Sequence, residues 1–130
     1  MKNLGIVANL NKRKAGSKAQ EIAGWLEKRG VTGTFEQSLA TALRCPQRGF
    51  YLGKPGGRLD ALIVLGGDGT LISTFRQLRE RAIPLLGIKL GGLGFLTEVP
   101  FAGASPVSED LLEGRLQVEK RATLDCLYQR

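Results

Sequence analysis

The stretch Leu59-Asp60-Ala61-Leu62-Ile63-Val64-Leu65-Gly66-Gly67-Asp68-Gly69-Thr70 decides the fold. Its first half is an unbroken apolar run of strand length, the pattern of a strand buried on both faces in a parallel sheet. The glycine-rich turn follows without a gap. After it, Leu71, Thr74, Phe75 and Leu78 recur at helical spacing, with Arg76, Arg79, Glu80 and Arg81 mostly elsewhere. Strand, glycine turn and helix in this order place the turn at the C-terminal edge of a sheet, where ligands of open α/β sheets bind.

Working outward, the same alternation of elements repeats. Leu4 to Ala8 reads as a buried strand, followed by a basic loop from Asn9 to Gly16 that carries Lys12, Arg13 and Lys14. Ser17, with Gln20 three residues on, has the spacing of a capping box. Ala19, Ile22, Ala23 and Leu26 then mark a helix that Gly30 ends. Val31 to Glu36 is β-branched and reads as a second strand, parallel to the first through a right-handed crossover. Leu39 to Leu43 is expected to form a short helix stopped near Pro46, and Arg44 to Arg58 to form a loop.

Beyond the central unit, Pro84 precedes another apolar run, Leu85 to Ile88, and then a second glycine cluster, Gly91-Gly92-Leu93-Gly94-Phe95. Ser105 and Pro106 open a short helix through Leu112, which Gly114 closes. From Val118 the pattern becomes period-2, with Val118, Lys120, Ala122, Leu124, Cys126 and Tyr128 on one side. The expected fold is α/β, a three-layer open and mostly parallel sheet with flanking helices. Residues 1–115 form its nucleotide-binding domain, and 116–130 begin a β-rich region that the chain cuts short.

Composition narrows the chemistry. The chain has 130 residues, 42% of them apolar and 24% charged, as expected of one globular domain. It contains no histidine, which excludes Ser-His-Asp and Cys-His catalysis and Cys/His zinc sites. Cys45 and Cys126, far apart in sequence, read as free thiols in a reducing cytoplasm. Its longest apolar run is too short to span a bilayer, and its N-terminus lacks the pattern of a secretory signal. Nineteen basic against 12 acidic residues give a net charge of +7. Only Phe50 and Tyr51 are aromatics interleaved with basic residues, so no nucleic-acid partner is expected. A basic surface beside a phosphate loop steers nucleotides instead.

The turn Gly66 to Thr70 has the physics of an anion site. Glycines allow positive φ and remove the Cβ that would keep a ligand away. The first N–H groups of the following helix lack intrahelical partners and lie at the positive end of its dipole. The turn is neither a Walker loop nor a Gly-x-Gly-x-x-Gly fingerprint. Asp68 reads in two ways. It is either the helix N-cap or a carboxylate that holds a substrate hydroxyl or a magnesium-bound phosphate, its acidity raised by the helix terminus. Thr70 either bonds back to the loop or donates its hydroxyl to phosphate. The second cluster is a tight crossing of backbones or a second wall of the same cleft. Phe95 either stacks on a ligand ring or belongs to the core.

Leu65 to Leu71, followed by Gly87-Ile88-Lys89-Leu90-Gly91-Gly92-Leu93-Gly94-Phe95-Leu96-Thr97-Glu98, resembles the N-terminal domain of NAD kinases, which use ATP or polyphosphate. The opening strand with its basic loop, and Arg121 to Leu124, share in the resemblance, which spans essentially the whole chain. Gly-Gly-Asp-Gly-Thr alone is shared with diacylglycerol and sphingoid lipid kinases and loosely with phosphofructokinases. The Leu-Gly-Phe-Leu-Thr-Glu continuation makes the NAD kinases much the more specific match.

The resemblance implies transfer of a phosphoryl group to the 2′-hydroxyl of the adenosine ribose of NAD, giving NADP, with ATP or polyphosphate as donor and a divalent metal, Mg²⁺ in the first instance. Asp68 would be the catalytic residue and also contact NAD. Gly66, Gly67, Gly69 and Thr70 would bind phosphate, and Phe95 would line the NAD pocket. No residue is assigned as a metal ligand. The implied fold is phosphofructokinase- or diacylglycerol-kinase-like, the implied setting cytoplasmic and the full-length enzyme a homo-oligomer. Two positions depart from the pattern: Lys89 stands where the family usually has Asn, and Gly92 where it usually has Arg or His. The family's second signature, Asn followed by an acidic residue, lies in a β-rich C-terminal domain that this chain does not reach. The chain alone is therefore expected to be inactive. The other readings are a lipid kinase with the same loop and a non-catalytic nucleotide-binding or assembly domain.

Overall fold

The computed structural model describes residues 3–12, 14–53, 59–78, 83–89 and 99–100. These residues build a six-stranded sheet: β1 (Asn3–Ala8), β2 (Thr32–Glu36), β3 (Gly49–Phe50), β4 (Ala61–Gly66), β5 (Leu85–Lys89) and β6 (Val99–Pro100). The strand order is β3-β2-β1-β4-β5-β6, and every pairing is parallel. Three helices connect them, α1 (Ala15–Glu27), α2 (Gln37–Ala42) and α3 (Asp68–Leu78), with a 3-10 turn at Pro46–Arg48.

The central strands are apolar throughout because both faces are covered. Leu4, Ile6 and Ala8 of β1 and Ala61, Ile63 and Leu65 of β4 face one cluster, which contains Ala19, Ile22, Ala23 and Leu26 of α1 and Leu39 and Ala40 of α2. Val7, Leu62 and Val64 face the other, with Leu78 of α3 buried among them and Leu71 packed against it. Helices α1 and α2 thus lie on one side of the sheet and α3 on the other, which makes the expected three layers. Leu4, Ile6, Leu62, Ile63 and Leu65 have no exposed surface, and each such side chain contributes about 2 kcal/mol of transfer free energy.

Helix α1 ends in a Schellman motif. Gly30 is left-handed, with φ 73°. Its N–H donates to the Glu27 carbonyl and the Val31 N–H to the Leu26 carbonyl. The start of α1 differs from the capping box expected at Ser17. Lys14 occupies the cap position in a left-handed conformation and makes no side-chain cap bond, while the Ser17 hydroxyl donates to the Lys14 carbonyl at 3.0 Å. A lysine in that conformation leaves no local sequence signature.

The expected loop at 44–58 also differs. It contains the 3-10 turn and the two-residue edge strand β3, paired with Phe35 and Glu36. Phe50 lies so close over Gly5 that a Cβ there would come within 2.8 Å of its ring. Arg48 reinforces this edge: one of its nitrogens donates to the Gly33 carbonyl at 2.7 Å and pairs with Glu27 at 2.7 Å, and its guanidinium lies 4.9 Å from the centre of the Phe35 ring. The Ser105–Leu112 helix, the alternation from Val118 and the region 116–130 lie outside the described residues, as does Cys126. Cys45 is a free, half-buried thiol. Among the described residues no helix is long and apolar enough to cross a membrane.

Candidate functional site

The chain leaves β1 toward β2 on one side and later returns to β4 on the other, so the sheet reverses its winding between β1 and β4. Loops diverge at such a point and open a crevice at the carboxyl ends of the strands. A cleft of about 650 Å³ lies there. Across the sheet edge, Glu36 comes from the end of β2, Asn9 and Lys12 from the loop after β1, and Gly67 to Thr70 from the turn after β4. Ser73 and Gln77 of α3 form part of the wall.

The turn itself is held from both sides. The Asn9 N–H donates to the Leu65 carbonyl at 2.9 Å, extending the ladder between β1 and β4 by one residue. The Asn9 side chain then accepts from the Asn11 N–H at 3.0 Å, which folds the basic loop back over the strand end. The first bond of α3 runs from the Leu71 N–H to the Gly67 carbonyl at 3.2 Å. Gly67 is therefore the cap residue and Asp68 the first residue within the helix. Of the two readings of Asp68, N-cap is thus set aside. Its carboxylate sits in the first turn, half-buried, at the mouth of the cleft.

The amides of Gly69 and Thr70, the second and third helical positions, precede the first intrahelical bond. They donate to no carbonyl among the described residues. With the helix dipole behind them, they present positive potential to the cleft.

The three glycines of the turn do different jobs, and none is left-handed; among the described glycines only Gly30 has positive φ. Gly66 is buried beneath the cleft and does not line it. A Cβ at Gly66 would lie 2.5 Å from Thr70 Oγ1, 2.9 Å from Thr70 Cβ and 3.3 Å from Asn9 Cβ. Its bare α-carbon lets the first turn of α3 settle on the strand end. A Cβ at Gly67 or Gly69 would meet nothing within 4 Å, so those two positions leave room on the cleft side. Thr70 directs its side chain at Gly66, and its carbonyl accepts from the buried Thr74 hydroxyl at 2.7 Å.

The structure thus brings Gly67, Asp68, Gly69 and Thr70 to one cleft wall and sets Gly66 under it. Phe95 and the second glycine cluster, Gly91 to Phe95, lie outside the described residues, as does Arg13. Lys12 of the basic loop reaches the cleft. Asn9, Glu36, Ser38 and Gln77 also line it. Sequence reading did not single them out, because strand order rather than any local motif gathers them. Among the described residues no group of three or more His, Cys, Asp or Glu side chains is arranged to hold a metal.

Comparison with known proteins adds a family to this geometry. Residues 4–116 match the ATP-NAD kinase N-terminal domain. The NAD kinase of Geobacter sulfurreducens is 40% identical over 130 residues, covering all of this chain and 45% of that protein. The NAD kinase of Syntrophotalea carbinolica is 38% identical over 130 residues, again all of this chain and 46% of its own length. Among solved structures, yeast NADH kinase in complex with NADH superposes with a TM-score of 0.77 at 21% identity, covering 88% of this chain and 37% of that one. That likeness shows a shared fold. The chain spans just under half the length of these relatives.

Proposed function

Given that the chain belongs to the NAD kinase family, we propose that it supplies the nucleotide-binding half of an enzyme that phosphorylates the adenosine-ribose 2′-hydroxyl of NAD to give NADP. The observation that carries this reading is the Gly67–Thr70 turn, whose Gly69 and Thr70 amides donate to no carbonyl among the described residues and have the Asp68 carboxylate beside them, at the switch point of a parallel sheet. Phosphoryl transfer asks mainly for positioning and charge neutralisation. The amides of Gly69 and Thr70 hold donor phosphate oxygens, and Lys12 adds positive charge to the same cleft. Asp68 accepts the proton-bearing hydroxyl of the acceptor ribose and orients it toward the terminal phosphorus.

One carboxylate suits a magnesium ion, which takes one or two protein carboxylates and fills its remaining positions from phosphates and water. Asp68 is the residue that would hold it, and the ion would neutralise charge on the transferring group. The phosphoryl donor is ATP or polyphosphate. Phe95 lines the NAD pocket, and residues from 116 onward begin a β-rich domain that completes it. The full enzyme is cytoplasmic and homo-oligomeric.

The test is NADP formation by the polypeptide carrying this chain together with the family's C-terminal domain, with ATP and then polyphosphate as donor. NADP is expected, and this chain alone is expected to form none. Labelled phosphate on a sphingoid base or diacylglycerol instead of NAD would replace this reading with that of a lipid kinase.

A further inference from the structure

The cleft has a second carboxylate whose place the motif does not explain. Glu36 is the last residue of β2, half-buried, and it lines the same cleft as Gly67 to Thr70. Its Oε2 accepts from the Ser38 N–H at 2.9 Å, which fixes the carboxylate at the start of α2. Among the described residues, Oε1 accepts no hydrogen bond. A carboxylate so held repels phosphate but accepts well from hydroxyls. Charge therefore orders any nucleotide bound here: phosphates against the bare amides and Lys12, sugar against Glu36.

Spacing favours the same arrangement. β2 and β4 flank β1 on opposite sides. Their ends are two interstrand spacings apart, about 10 Å. That is the order of distance between a ribose and the terminal phosphate of its own triphosphate. The strand order β3-β2-β1-β4-β5-β6 is also that of dinucleotide-binding sheets, in which an acidic residue binds a ribose diol while helix amides bind phosphate. Here the phosphate turn follows β4.

Resting on the function proposed above, we propose that Glu36 binds the ribose 2′,3′-diol of the phosphoryl donor, and so selects a nucleoside triphosphate over a bare polyphosphate chain. Asp68 already takes the reacting hydroxyl of the accepting adenosine in the function proposed above, which leaves Glu36 to the ribose of the donor.

The experiment is calorimetric titration of this chain with ATP, 2′,3′-dideoxy-ATP and inorganic tripolyphosphate, repeated with Glu36→Gln. The glutamine retains an acceptor for the Ser38 N–H, and a thermal melt checks that the variant folds. Wild type is expected to bind ATP about tenfold more tightly than the dideoxy analogue, the worth of a charge-assisted hydrogen bond. Glu36→Gln is expected to erase that difference and leave tripolyphosphate binding unchanged. Equal binding of ATP and its dideoxy analogue by wild type overturns the proposal. So does an equal loss of ATP and tripolyphosphate in the variant, or a loss confined to NAD in a parallel titration. If wild type binds tripolyphosphate but ignores the diol, only the Glu36 assignment falls. If it binds none of the three, the nucleotide-binding function falls with it.

Discussion

Adding one methyl group at Gly66 separates the structural from the ligand-facing glycines. In Gly66→Ala the new Cβ would stand 2.5 Å from Thr70 Oγ1 and 2.9 Å from Thr70 Cβ. Neither atom is the end of a flexible chain: Thr70 is in the first turn of α3, and its carbonyl is held by Thr74. Relief requires the helix start to move off the strand. Overpacking of this kind costs about 2–3 kcal/mol. Reduced freedom of the unfolded chain returns about 0.5–1 kcal/mol. The net loss is about 2 kcal/mol, which lowers the melting temperature of a chain this size by about 6–10 °C. Gly67→Ala and Gly69→Ala, which meet nothing within 4 Å, keep that unfolded-chain gain unopposed, so they should leave the melt unchanged or raise it by up to about 5 °C and weaken triphosphate binding. Thermal melts followed by circular dichroism, with the double variant Gly66→Ala/Thr70→Ala recovering part of the loss, decide the matter. An unchanged melt for Gly66→Ala, or an equal fall for Gly67→Ala, would refute this reasoning.

Other substitutions probe the remaining supports. Gly30→Ala forces a side chain into a left-handed residue at φ 73° and should lower stability by about 1 kcal/mol in urea titration. Arg48→Ala removes the bond to the Gly33 carbonyl as well as the pair with Glu27 and should cost about 1–2 kcal/mol. Glu27→Ala, which loses only the half-exposed pair, should cost about 0.5 kcal/mol or less; equal losses would show that the carbonyl bond contributes nothing. Asp68→Asn in the full enzyme should lower NADP formation by about a hundredfold or more while stability changes by less than about 1 kcal/mol. Near-normal turnover would remove Asp68 from its catalytic role.

The layered sheet was legible because its central strands advertise burial on both faces: Leu4 to Ala8 and Ala61 to Leu65 are apolar without alternation. The glycine turn was legible for a related reason, since it joins such a strand directly to an amphipathic helix. What escaped reading depends on contacts distant in sequence. β3 is two residues long and is placed by Phe50 over Gly5 and by Arg48, not by its own propensity. The division of labour between Gly66 and its two neighbours follows from Thr70 folding back onto the strand end. Asp68 and Gly67 exchanged the roles of cap and first helical residue, a shift of one position that local preference cannot resolve. Glu36 looked like the end of a strand. Only the order β2-β1-β4 brings it to the wall of the cleft beside the glycine turn.

The central claim, that bare amides after β4 receive phosphate, is tested most directly by nuclear magnetic resonance of the ¹⁵N-labelled chain titrated with tripolyphosphate. Saturable shifts should be largest at the amides of Gly67, Asp68, Gly69 and Thr70, with Lys12 following. If those four signals hold still while others move, phosphate is held elsewhere and the site described above is not the one that binds it.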